Sequence, residues 1–237
     1  MAVTKKHDEI DFLSVYDKTP ELLTPSQEDL ACELQLQALG DWWPLRYNLD
    51  PDVWLQNLEE MNRQDWWIPF QPKHGIMNDR ECVLIYGMKG DQPNSIAGLS
   101  EHYERLGRYP FESEFDTPTE ARSKLTVMHD VFDYFDPLGR TFLIRLNSGG
   151  FYPTHRDHYY LNRDTFRLIA FLGDPNHCME WEVDGRKRQI LPNKVYYVDT
   201  RKEHRLCAWH HSETAMVVMN IKKDWRTMQK LLTKVYS

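Results

Sequence analysis

From Thr141 onward the chain is cut into short β-rich runs, and this narrows what it can fold into more than any other feature. The runs are Thr141–Asn147, Phe151–His155, Thr165–Leu172, Cys178–Val183, Arg186–Leu191, Lys194–Asp199, His204–Trp209 and Thr214–Ile221. Branched and aromatic residues fill them, and turn residues separate them. Asp184-Gly185 between two runs is a strong hairpin signal. Ser148-Gly149-Gly150 and Gly173-Asp174-Pro175-Asn176 also read as turns. Eight short strands at nearly even spacing predict a double-sheet jelly roll or barrel.

The residues before this block read mostly as helices. Residues 1–25 are polar and form a predicted extended arm with one apolar anchor at Ile10, Phe12 and Leu13. Ser26 with Asp29 starts a helix that Gly40 ends. Asp50 and Pro51 open a second, with Trp54, Leu58 and Met61 on one face. The pairs Trp42-Trp43 and Trp66-Trp67 are expected to bury these helices on a sheet, with a substrate mouth as the other possibility. Cys82–Tyr86 is a short buried strand. Residues 87–116 lack periodicity, and a loop this long suggests a lid. Thr117-Pro118-Thr119-Glu120 reads as a capping box opening one helix, with Ala121, Leu125, Met128, Phe132 and Phe135 along its stripe. Asp224-Trp225 starts a C-terminal amphipathic helix. The expectation is one domain: helical support and lid over 1–136, a jelly-roll metal-binding core over 137–221, and a terminal helix over 222–237. The fold class is mainly β with flanking helices.

Composition removes several functions. The net charge is -7, so a nucleic-acid partner held by a basic field is not expected. There is no apolar run long enough to cross a bilayer, and the first residues lack the apolar core of a signal peptide. A cytoplasmic location is the expectation. Cys32, Cys82, Cys178 and Cys207 are scattered, with no zinc-finger spacing, and read as reduced, mostly buried thiols.

The chemistry concentrates in His155-Arg156-Asp157 and in His204. Residues two apart on a strand point the same way, so His155 and Asp157 present two ligands on one edge. In a jelly roll, strands distant in sequence become neighbours, and His204 at the start of the penultimate strand can supply the third. Two histidines and one carboxylate bind ferrous iron on one face and leave other positions open. Either histidine alone would be read as an ordinary hydrogen-bonded residue; the set is what carries the metal site. His158, His210 and His211 are read as off the ligand face or in turns, and His74, His102, His129 and His177 lack partners by sequence.

The order and context of these parts resemble a known family. Phe142-Leu-Ile-Arg145-Leu-Asn-Ser-Gly-Gly150-Phe-Tyr-Pro-Thr-His155-Arg-Asp157, then Phe166-Arg167-Leu168, then Tyr197-Val-Asp199 and His204, are similar to iron(II)/2-oxoglutarate-dependent oxygenases. The nearest branch is that of the aspartyl/asparaginyl β-hydroxylases and proline hydroxylases. The resemblance covers roughly residues 118–221. It implies a double-stranded β-helix, a cupin-like jelly roll, with Fe(II) held by His155, Asp157 and His204. It also implies 2-oxoglutarate and O2 as co-substrates, with succinate and CO2 as products of the co-substrate. The far carboxylate of 2-oxoglutarate needs a cation inside the barrel, and a guanidinium can grip it with two hydrogen bonds. Many members place that arginine about ten residues past the second histidine, where this sequence has Thr214. Arg167 matches the arginine that the β-hydroxylase branch takes from the strand after the first histidine, and is the first candidate. Thr214 could add a hydroxyl, and Arg145 is the reserve. Related halogenases lack the carboxylate that Asp157 supplies, so the resemblance implies hydroxylation or another oxidation; the β-hydroxylase branch often lacks it too, which places the chain nearer the proline-hydroxylase side.

The substrate is not specified by the motifs. Family analogy points to a small amino acid or a peptidyl residue, with no nucleic acid and no membrane involved. Arg80, Arg145, Arg156 and Asp79 are possible partners for an amino acid. A cupin-like metalloenzyme of another class, or a jelly-roll binding module without catalysis, remain as alternatives.

Overall fold

Alternation along the strands decides which face each one buries. In the computed structural model, residues 25–70, 80–95, 102, 105–136, 138–146, 149–157, 163–173, 179–208 and 215–236 are described. The expectations for residues 1–24, Ser148, the turn residues Asp174, Pro175 and Asn176, Cys178, Trp209 and Thr214 lie outside the described residues.

All eight strands expected after residue 137 are present. They are β5 (Leu138–Leu146), β6 (Phe151–His155), β7 (Thr165–Leu172), β8 (Met179–Val183), β9 (Arg186–Arg188), β10 (Lys194–Val198), β11 (His204–Ala208) and β12 (Ala215–Lys222). They pair β5 with β12, β6 with β11, β7 with β10 and β8 with β9, all antiparallel. The chain therefore doubles back as one long ribbon around the Asp184-Gly185 turn, where both residues have positive φ (48° and 69°), as a tight hairpin requires. Winding that ribbon sends alternate pairs to opposite sheets. The larger sheet carries β5-β12-β7-β10 in order, and the smaller carries β6-β11-β8-β9. This is the jelly roll, or double-stranded β-helix.

Four earlier strands extend the larger sheet. β1 (Trp42–Pro44) joins beside β10; β3 (Arg80–Gly87) pairs with β5, β2 (Ile68–Pro69) with β3, and β4 (Thr117–Pro118) also with β3. The larger sheet is covered on both faces, and its central strands are correspondingly buried along their length: in β12 every residue from Ala215 to Ile221 is buried. Among the described residues, the smaller sheet is covered on one face only. There β8 alternates strictly, with Met179, Trp181 and Val183 buried and Glu180 and Glu182 less so. Two-period alternation thus appears only where one face meets water.

Two cores result. Between the sheets lie Phe142, Ile144, Ile169, Phe171, Trp181, Tyr196, Leu206 and Val218. On the outer face of the larger sheet, Val83, Leu143, Leu168, Ala170 and Val217 meet the helices. These are α1 (Gln27–Leu39), α2 (Pro51–Arg63), α3 (Glu120–Lys124), α4 (His129–Phe135) and α5 (Trp225–Tyr236). α1 starts with the expected capping box of Ser26 and Asp29. α2 starts with Asp50 as cap and Pro51 at its first position. Trp66 joins the outer core, whereas Trp42 lies inside the barrel against Phe171, Trp181 and Tyr196. Cys32 and Cys82 are buried and Cys207 is half-buried, all as free thiols.

The segment after residue 116 differs from expectation. Thr117 and Pro118 form strand β4 instead of a capping box. Thr119 caps α3 by position only, because its hydroxyl donates to the Leu84 carbonyl at 2.6 Å. The helix breaks at Leu125 (φ -88°, ψ 62°), followed by a 3-10 turn over Thr126–Met128 and then α4. The break is held by Asn57, whose carboxamide oxygen accepts from Val127 N–H at 2.9 Å. The apolar stripe is as expected, since Ala121, Leu125, Met128, Phe132 and Phe135 are all fully buried.

The loop expected to be a lid is anchored in one of its described parts. Residues 111–116 form a strap against the barrel, with Glu112 buried and bonded to Arg140. Arg108 anchors it through a bidentate pair with Glu114 (2.7 and 2.6 Å). Gly139 lets the strap approach: a Cβ there would stand 2.4 Å from the Glu112 carbonyl oxygen. Gly139→Ala should therefore destabilise the fold by about 1–3 kcal/mol, the range for forced overpacking. Urea unfolding checks this, and an unshifted midpoint would show that the strap does not press on β5.

Candidate metal centre

The ribbon brings the three predicted ligands together. In the β6–β11 pairing, His204 lies directly opposite His155. Pro153, which has no N–H to offer a neighbour, is accommodated because β6 is the edge strand of its sheet. Asp157 stands just past the end of β6, where its N–H donates to the Thr200 carbonyl at 2.9 Å. That bond ties the stretch after β6 to the stretch before β11. The imidazole centroids are 4.2 Å apart, and His155 Nε2 is 3.6 Å from Asp157 Oδ1. One ligand atom from each of the three residues lies within 4.8 Å of the others.

The imidazoles are oriented for ligation. His155 Nδ1 is 2.7 Å from the Pro153 carbonyl, and His204 Nδ1 is 2.9 Å from the Lys202 carbonyl. A carbonyl only accepts, so Nδ1 carries the proton in each neutral ring and Nε2 keeps its lone pair. Partners of this kind fix the tautomer of metal-binding histidines. Rings pack around them: Trp181 stacks on His204 at 5.7 Å and 12°, and Tyr152 on His155 at 5.6 Å. Burial lowers the His204 pKa to about 4, against the opposing pull of Asp157. Burial raises that of Asp157, but Arg167, His204, the Thr200 hydroxyl and His155 together hold it at about 2. Near neutrality the centre thus has an uncharged His204 and an ionised Asp157, the states a divalent ion requires. With bonds of about 2.0–2.2 Å, two donors at right angles stand roughly 3 Å apart, so the donor set present fits an ion after a small contraction.

The centre opens onto a cavity of about 460 Å³ between the sheets. Its walls are largely apolar, including Phe70, Phe142, Ile169 and Met216. Four arginines also line it: Arg80, Arg140, Arg156 and Arg167.

Two of the residues expected to bind the co-substrate are placed as follows. Arg167 does reach the site, but its fork is taken up by the chain itself. Nη1 donates to Asp157 Oδ2, and Nε and Nη2 donate to Asn220 Oδ1 at 3.1 and 3.0 Å. No bidentate edge is presented to a ligand carboxylate. Arg145 has the wrong parity on β5. It lies on the face opposite Arg140, Phe142 and Ile144, donates to Glu81 at 2.8 Å and Asn62 at 3.0 Å, and covers the Trp67 ring at 4.0 Å. It does not line the cavity. Thr214 falls outside the described residues.

Sequence reasoning missed Glu112, Arg140 and Asn220 and left Arg80 unranked. Parity along β5 and β12 would have aimed Arg140 and Asn220 inward once one interior residue of each strand was known. Nothing local marks Glu112. Among the decoys, His102 is buried edge-on against Phe115 at 4.8 Å, and His129 faces the Arg122 carbonyl at 3.2 Å. No helix among the described residues is long and apolar enough to cross a membrane.

No family profile matches the sequence, and no curated protein matches it. Among solved structures, the chain is similar to an oxidoreductase of the 2OG-Fe(II) oxygenase family from Burkholderia pseudomallei. The identity is 18%, the TM-score 0.43, and 84% of this chain and 92% of that one are covered. A prolyl-4-hydroxylase from Pseudomonas putida is 12% identical with a TM-score of 0.41, covering 81% and 98%. A prolyl hydroxylase from Trichoplax adhaerens, in complex with a hypoxia inducible factor peptide fragment, is 12% identical with a TM-score of 0.43, covering 86% and 93%.

A ligand that binds only the folded chain stabilises it by about 2.7 kcal/mol at a hundred times its Kd. Mn(II) should therefore raise the thermal midpoint of the protein, and His155→Ala or Asp157→Ala should abolish that rise. An equal rise in the variants would place the ion elsewhere.

Proposed function

We propose that the chain is an Fe(II)- and 2-oxoglutarate-dependent dioxygenase that hydroxylates an unactivated C–H bond of a small amino acid or a peptidyl residue. The supporting observation is the convergence of His155, Asp157 and His204 on one side of a cavity whose walls are largely apolar. Three protein ligands leave coordination positions open, which a mononuclear oxygenase needs and a structural metal site does not. Bound Fe(II) with 2-oxoglutarate and O2 would supply the oxidising power, with succinate and CO2 as co-products.

The chain's own residues would do the rest. His155, Asp157 and His204 would hold the ion at one end of the cavity. Trp181 and Tyr152 would keep the imidazoles in place by stacking. Phe70, Phe142, Ile169 and Met216 would exclude water, so that a charged co-substrate is held by fixed groups and not by solvent. The far carboxylate of 2-oxoglutarate would meet Arg80. That residue is 5% exposed and lines the cavity. Its guanidinium lies 4.0 Å over the Tyr152 ring, which also stacks on His155 at 5.6 Å. The two ends of the co-substrate would thus be held one aromatic ring apart.

The test is conversion of 2-oxoglutarate to succinate, dependent on Fe(II) and O2, first without substrate and then with a panel of amino acids and short peptides. Under argon, Fe(II) with 2-oxoglutarate should give a weak visible charge-transfer band that disappears in His155→Ala. A folded, metal-loaded protein that never forms succinate would point to a cupin of another class or to a binding module. Arg80→Gln should keep the band but weaken 2-oxoglutarate binding by about thirtyfold or more, since losing one member of a buried charge pair costs about 2–5 kcal/mol. Unchanged affinity would remove Arg80 from this role.

A further inference from the structure

We propose that Arg167 is a positioning residue for Asp157. It engages one carboxylate oxygen so that only the other is offered to the divalent ion, and Asn220 and Glu112 hold it there. This presupposes the metal site proposed above.

A carboxylate has two equivalent oxygens and can chelate an ion with both. Chelation by Asp157 would fill a position that an incoming ligand needs. Backbone pairing alone does not prevent it, because Asp157 lies beyond the last residue of β6. Arg167 does. Asp157 Oδ2 accepts from Arg167 Nη1, while Oδ1 faces His155 Nε2. Arg167 is itself fixed on its other edge, where Nε and Nη2 both donate to Asn220 Oδ1. A planar guanidinium gripped on two edges does not swing.

Asn220 is fully buried, and its orientation is set by its remaining bonds. Its Nδ2 donates to the Arg140 carbonyl at 2.7 Å and to Glu112 Oε2 at 3.2 Å. Glu112 Oε1 lies 3.6 Å from Arg167 Nη2 while both its oxygens accept from Arg140. Charge therefore alternates along Asp157, Arg167, Glu112 and Arg140. Each buried ion has a partner of opposite sign, the condition under which such ions are tolerated. The strap at 111–116 thus reaches the metal ligands through two side chains.

Mn(II) is the probe, in wild type, Arg167→Gln, Arg167→Lys and Asn220→Ala. Electron paramagnetic resonance in oxygen-17-enriched water reports the water molecules bound to the ion. Two imidazoles and one carboxylate oxygen on a six-coordinate ion leave roughly three waters; a chelating carboxylate leaves roughly two. Arg167→Gln is expected to lose about one water relative to wild type, and Arg167→Lys, which can still donate to Oδ2, to keep the wild-type number. A purely structural role would lower the thermal midpoint without changing the water count. An unchanged count in folded, Mn(II)-loaded Arg167→Gln overturns the proposal. If that variant does not fold, Asn220→Ala decides, since it frees the fork while leaving the cation: loss of water supports the proposal, and an unchanged count overturns it. A wild-type protein that binds no Mn(II), or His155→Ala that binds it equally well, would instead bring down the metal site, and this inference with it.

Discussion

Everything at the centre depends on one stretch of backbone pairing, that between β6 and β11. Registering His204 against His155 is what turns two separate histidines into a ligand pair. The register is inherited from the ribbon, because β8 and β9 start it at a two-residue turn and β11 is hydrogen-bonded on both sides, to β6 and β8. A slip of one residue on β11 would carry His204, Leu206 and Ala208 outward and bring Arg205 and Cys207 into the core. The apolar demand of the barrel interior therefore fixes the geometry of the ligands. The site needs no separate device to bring its two halves together.

Electrostatics finish what pairing begins. An interior with Arg80, Arg140, Arg167, Glu112 and Asp157 is polar for a barrel otherwise filled with aromatic and aliphatic side chains. Glu112, Arg140 and Arg167 are linked through Asn220, which bonds to both arginines and to the glutamate. Removing any one of them would leave a buried charge uncompensated, and such losses typically cost about 3–5 kcal/mol. The strap is thus bound to the barrel by its charge as much as by its packing, and Gly139 provides the clearance that lets the two meet.

Much of this was legible in the sequence because it rests on local signals. All eight barrel strands follow from β-rich runs and turn residues, and the Asp184-Gly185 hairpin follows from its dipeptide. The capped starts of α1 and α2 and the buried stripe from Ala121 to Phe135 also follow from spacing. The His155, Asp157 and His204 set was readable as type and order. What escaped depends on contacts between distant segments. Asn57 breaks the helix at Leu125 from across the molecule, and Leu84 takes the Thr119 hydroxyl that would have capped it. Arg145 and Arg140 differ only in parity, which a sequence does not reveal until the interior face is known. Arg167 stands out in the sequence only through the resemblance, and its partners, Asp157 and Asn220, come from two other segments. Glu112 sits in an aperiodic stretch and becomes meaningful only when the strap folds back on β5.

Among the described residues, β6 has a strand neighbour on one side only. His155 and Asp157 are therefore attached to the rim of the smaller sheet, while His204 is embedded within it. An ion gripping all three would staple the rim to the interior. Without it, the border strand is held by β11 and by the Asp157 link to Thr200. Such borders recruit strands from other molecules. Metal starvation would then show first as self-association between chains and only later as loss of the barrel, so the ion would guard colloidal behaviour as well as chemistry.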